Sequence, residues 1–129
     1  MRDQTRSWIV KGDKDLGTAG FALESVDGPL PVTACLHCQQ SAGKYLKAFL
    51  QENDASFALL HNLTSLLDSC AAMDNSFETL RMDISQLEGY SIASRYPKNE
   101  GSLDFGKEAL ASAKRVKEFV LGKLNQVSM

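Results

Sequence analysis

The chain has 129 residues, of which 43% are hydrophobic and 23% charged, with a net charge of −2 at pH 7. One domain over 1–129 suits that length, and a domain of this size buries roughly two thirds of the surface its unfolded chain exposes, so it folds without disulfide or metal staples. The charge excludes broad electrostatic wrapping of DNA or RNA, which needs a basic surface.

No run approaches the ~20 apolar residues of a membrane span. The opening Met1-Arg2-Asp3-Gln4-Thr5-Arg6 lacks the apolar core of a signal peptide. The chain is therefore expected to be cytoplasmic, with no membrane partner. Its three cysteines, an odd number, fit that compartment.

In chain order, the spacing predicts a first helix over Gln4 to Leu23. Trp8, Gly12, Leu16, Ala19 and Leu23 recur at steps of three to four, the period of one helix face. Arg6, Asp13 and Lys14 fall elsewhere and are expected to face water. Gly12, Gly17 and Gly20 each weaken a helix by about 1 kcal/mol relative to alanine, which points to close helix packing at some of them. Asp27-Gly28-Pro29 breaks the chain.

A second helix runs from near Pro31 to near Gln51, with Cys35, Cys38, Ala42, Tyr45 and Phe49 as its core seam. His37, Ser41 and Lys44 share an azimuth well away from that seam, flanked by Gln40 and Lys47, and form a polar stripe. Asn53-Asp54-Ala55-Ser56 reads as a connector. The third helix spans about Asn62 to Met73, with Asn62 as its N-cap and Leu63, Leu66, Leu67 and Cys70 inward.

Asn75 with Glu78 three residues later resembles a capping box opening the fourth helix. Phe77, Leu80, Ile84, Leu87 and Tyr90 make its inner face, and Pro97 ends it near Arg95. The fifth helix covers about Phe105 to Asn125 on a seam of Ala109, Ala113, Val116, Val120 and Leu124. No segment alternates polar and apolar residues for long, so the expected fold is all-α, an up-and-down antiparallel bundle of four to five helices.

Several chemistries find no support. There is no glycine-rich phosphate loop, nucleophile elbow or paired-histidine zinc motif. On a helix Cys35 and Cys38 point inward while His37 points away, whereas zinc needs convergent ligands. No metal, cofactor or catalytic residue is assigned.

Four segments together carry a resemblance to a known family. They are Trp8 with Lys14-Asp15-Leu16; Cys35-Leu36-His37-Cys38-Gln39-Gln40-Ser41-Ala42-Gly43-Lys44-Tyr45-Leu46-Lys47-Ala48; Leu60-His61-Asn62-Leu63; and Ser94-Arg95-Tyr96-Pro97. In this order, over nearly the whole chain, they resemble the HEPN family (higher eukaryotes and prokaryotes nucleotide-binding). The resemblance implies the same helix bundle, like the substrate-binding subunit of nucleotidyltransferases.

Departures from the family pattern narrow the implication. Ser41-Ala42-Gly43-Lys44 stands where members often carry Ala-x-Glu-Lys, and His61-Asn62-Leu63 replaces His-Asp-Leu. The ribonuclease-toxin branch is marked by an arginine followed after four to six residues by a histidine. Here no histidine exists beyond His61.

What the resemblance implies is a non-catalytic, homodimeric binding module. It would bind nucleotide, or partner a minimal nucleotidyltransferase in a toxin–antitoxin-like pair of the kind encoded in many prokaryotes. His37, Gln40, Lys44, Lys47, His61, Arg95 and Tyr96 are the candidate nucleotide- or partner-binding residues.

Each candidate has a plainer reading. The stripe is otherwise a solvated face, His61 a turn or packing residue, and Arg95-Tyr96 a helix stop with Arg95 near the negative end of the helix dipole. Two alternatives to the binding module stand: a divergent RNA-cleaving enzyme using His37, His61 and Arg95, and a structural interaction protein with no small ligand.

Overall fold

A computed structural model describes residues 1–25, 30–60, 62–93 and 103–127, with the backbone alone for 90–93 and 126–127. Among these residues the chain forms α1 (Asp3–Leu23), α2 (Pro31–Glu52), α3 (Leu63–Met73), α4 (Arg81–Ala93) and α5 (Leu103–Val127), with a 3-10 turn at Asn75–Leu80 leading into α4. The described residues contain no strand. Among the described residues, no helix is long and apolar enough to cross a membrane. The expected all-α bundle is what forms.

α2 is the central element, packed against each of the other four helices. Its core seam is the one its spacing predicts: Cys35, Cys38, Ala42, Tyr45 and Phe49 are all buried. The predicted seams of α3 (Leu63, Leu66, Leu67, Cys70) and α5 (Ala109, Ala113, Val116, Val120, Leu124) are buried as well. Apolar residues repeating at the helical period are removed from water on one face, and each buried leucine-sized side chain stabilises by about 1.5–3 kcal/mol.

α1 and α2 run antiparallel. Gln51 Nε2 donates to Gln4 at 2.9 Å near one end, and the Leu30 N–H donates to the Ala22 carbonyl at 2.8 Å at the other. Between them Gly12 meets the Tyr45 ring so closely that a Cβ would stand 2.8 Å from Cε1. Of the three glycines expected to mark close packing, only Gly12 does so. Gly17 and Gly20 have open space beside them.

α3 lies across the middle of α2, with Leu63 and Leu66 over Gly43. Asn62 caps it as expected, accepting from the Ser65 N–H at 2.8 Å. The start of the fourth helix differs from expectation. Asp74, not Asn75, is the cap, accepting from the Ser76 N–H at 3.0 Å and hydroxyl at 2.6 Å. Those bonds and the Lys123 ammonium, 2.9 Å away, hold its carboxyl down to about 2. A carboxylate one residue earlier satisfies the free N–H groups, and the chain winds first as a 3-10 turn, placing Phe77 and Leu80 in the core.

Along α4 and α5, Arg115 donates to Asp83 at 2.7 Å and Ser112 donates to the same carboxylate at 3.0 Å. Phe77 packs between Phe49 and Phe119, at centroid distances of 4.4 and 5.0 Å. The Tyr90 side chain, expected inward, lies outside the described residues.

Candidate functional site

α1 buries the face its apolar residues suggest, widened to take in two polar residues. Thr5, Gly12, Asp15, Ala19 and Ala22 are its buried residues, while Trp8, Leu16 and Leu23 pack at the margin. Two of the buried five are polar, and both have partners on α2. The Thr5 hydroxyl donates to Glu52 at 2.9 Å. The Asp15 carboxylate accepts from His37 Nδ1 at 3.1 Å and from Lys44 Nζ.

This geometry changes the polar stripe. His37 and Lys44 are half-buried and both converge on Asp15, and Ser41 is fully buried with its hydroxyl donating to the Cys38 carbonyl at 2.9 Å. The expectation that His37, Lys44 and Lys47 form an exposed face is corrected: the stripe lies along the α1–α2 seam. Burying a carboxylate is costly unless charged hydrogen bonds replace its water, and a lysine and a histidine from α2 do so here. An ionised carboxylate only accepts, so Nδ1 carries the hydrogen and Nε2 is the nitrogen left to other partners.

Asp13 is exposed, as expected, and its carboxylate still makes contacts across the bundle surface. The Tyr45 hydroxyl donates to it at 2.6 Å, and Lys117 of α5 approaches at 3.0 Å. Burial and that acidic neighbour push the Tyr45 phenol well above its usual range, so it stays a neutral donor.

Lys47, one turn along α2 from Lys44, does something else. Its ammonium stands 5.1 Å from the centroid of the Trp8 ring, and Lys11 of α1 stands at the same distance from the same ring. Trp8 is held edge-on against Phe57, with centroids 5.7 Å apart. Trp8, Lys11 and Phe57 were not among the sequence candidates. The signal was weak, since Trp8 reads as core and Phe57 falls in the connector region. Gln40 is exposed on the outer side of α2. His61, Arg95 and Tyr96 lie outside the described residues.

The cysteines form no part of this site. Cys35, Cys38 and Cys70 are free and buried. Burial pushes their thiols up to about 11, 12 and 12 respectively. Among the described residues no group of three or more His, Cys, Asp or Glu side chains is placed to hold a metal ion. A thiol reacts as its thiolate, so the native protein at pH 8 should consume a disulfide reagent only slowly, and rapidly once unfolded. A stoichiometric fast phase from the native protein would contradict that burial.

Compared with known proteins, the chain matches the sequence model of the HEPN domain over residues 5–124. Among curated proteins and solved structures, none matches.

Proposed function

The chain belongs to the HEPN domain family, and we propose that it is a non-catalytic, dimeric binding module of that family. In this reading it binds nucleotide or docks a minimal nucleotidyltransferase as one half of a toxin–antitoxin-like pair. The observation that carries the reading is the state of its histidines. The sequence has two, neither preceded by an arginine at the spacing of the nuclease branch.

A surface suited to self-association supports the dimer. Phe21 is 76% exposed beside an open groove of about 490 Å³ between α1 and α5, floored by Gly17 and Gly20 and edged by Glu24, Lys107 and Lys114. Knob, notch and both signs of charge occur on one patch, which a two-fold contact requires. Light scattering at micromolar concentration should give twice the 14.1 kDa chain mass. A strictly monomeric mass would sink the dimer.

For ligand binding, a melting scan against nucleotides is the direct measurement. A ligand at 100 times its dissociation constant stabilises by about 2.7 kcal/mol. No shift with any nucleotide at millimolar concentration would leave a purely structural interaction protein.

One observation favours a second reading, the divergent RNA-cleaving enzyme. A carboxylate that fixes a histidine through Nδ1 is how general bases are oriented. Cleavage of total RNA that disappears in His37→Ala or His61→Ala would replace the binding reading with that one.

A further inference from the structure

Lys11 and Lys47 are two cations gathered on one ring. Among the described residues, ion pairs account for Arg2, Arg6, Lys44, Arg81, Arg115, Lys117 and Lys123, whereas Lys11, Lys14, Lys47, Lys107 and Lys114 have no acidic side chain within 4.0 Å, and of these only Lys11 and Lys47 share a ring. The acidic groups near them along their helices are already engaged, Asp13 by Lys117 and the Tyr45 hydroxyl. Asp15 holds Lys44 and His37, and Glu52 accepts from Thr5 and from the Arg2 backbone N–H. Yet both ammonium groups stand 5.1 Å from one indole centroid, so they lie at most twice that distance apart.

Placing two like charges this close is unfavourable unless something offsets it. The Trp8 ring offsets part, since its electron-rich face attracts cations. Each ammonium has three N–H donors, and contact with a ring face leaves donors to spare. A polyphosphate carries several oxyanions, so it can offer one to each nitrogen across that span, each accepting charge-assisted bonds about 2.7–2.9 Å long. Phe57 braces the indole from the side, so the ring holds the two ammonium groups in place before a ligand arrives.

We propose that Lys11 and Lys47, gathered on Trp8, form a binding site for the phosphate groups of a polyphosphate ligand. Because cations already stand over the indole, the site recognises charge and does not stack a base. This deepens, and rests on, the reading of the chain as a binding module, by assigning phosphate recognition to the α1–α2 seam. Lys44 is not part of the site, since Asp15 holds it. A chain with net charge −2 gains local attraction for an anion only where positive charge is left unpaired, as it is here.

Trp8 is the chain's single tryptophan, so its emission reports on this site. Inorganic pyrophosphate titrated at constant ionic strength should change that emission saturably. Lys11→Gln and Lys47→Gln should each weaken the response at least tenfold, and Lys47→Arg should restore most of it. Lys14→Gln, which removes an exposed charge on the same helix, should leave it intact. Melting curves of the variants separate lost binding from lost folding.

A nucleoside triphosphate in parallel separates this inference from the reading beneath it. If the triphosphate binds and neither lysine substitution matters, the site is overturned while the nucleotide-binding module stands. If pyrophosphate binds through both lysines and the triphosphate binds no tighter, the site stands and nucleoside recognition falls. No saturable response to either probe, or a response to a glutamate-rich peptide but not to pyrophosphate, overturns the site.

Discussion

Replacing Phe77 by alanine should destabilise the domain by about 3–5 kcal/mol, the range for truncating a buried aromatic side chain. Phe77 is fully buried, and its ring touches Phe49 from α2 and Phe119 from α5. It therefore ties the 3-10 turn to both long central helices at one point. The loss has two parts: the apolar area returned to water, and the void between two rings that stay attached to different helices. A domain of this class has about 5–15 kcal/mol in total, so the variant should sit near its unfolding threshold. Phe77→Leu keeps most of the volume and should lose clearly less. Urea unfolding of the three proteins measures this, and a loss under about 1 kcal/mol for the alanine variant would mean that the rings do not bear on one another as described.

Asp15→Ala should have the second largest effect, about 2–3 kcal/mol, because it strands two partners rather than one. Lys44 and His37 would keep their half-buried positions on α2 with no acceptor on α1. Asp15→Asn keeps an acceptor oxygen but loses the charge, and should fall between the wild type and the alanine variant. The cost comes from leaving a cation unpaired, so Lys44→Met in the Asp15→Ala background should recover part of it. A double-mutant cycle reads this directly: contacting charged residues couple by about 0.5–3 kcal/mol, and independent ones add within a few tenths. Strict additivity of Asp15→Ala and Lys44→Met would show that the pair contributes nothing beyond its separate members.

These two sites differ in how far they could be read ahead of the fold. Phe77 lies on an inner face legible from spacing alone, with Leu80, Ile84 and Leu87 following at helical steps. Asp15 was legible only as one residue in a family-like segment. A carboxylate near the middle of an amphipathic helix normally faces water, and nothing nearby in sequence supplies its partners. His37 and Lys44 are 22 and 29 residues away. Asp74 shows the same limit at short range. Asn75 with Glu78 matches a capping pattern, but Asp74 lies one residue earlier and is a stronger acceptor for the same N–H groups.

The α1–α2 seam is where reading and structure part most clearly. Lys47 belonged to the polar stripe from the outset, but its neighbours there did not. Lys11 and Trp8 come from α1 and Phe57 from the connector beyond α2, and no periodicity within one helix relates them to Lys47.

By itself the sequence determined the all-α bundle, the inner faces of α2, α3 and α5, and the family. These follow from local periodicity and from ordered segments along one chain, which need no knowledge of neighbours. The tertiary structure alone decided which polar residues of α1 join its buried face, that His37 and Lys44 are held by Asp15, and that Lys11 and Lys47 share one ring. The reason is that a buried polar group is stable only through its partners. Those partners are brought together by the packing of one helix on another, and not by position along either.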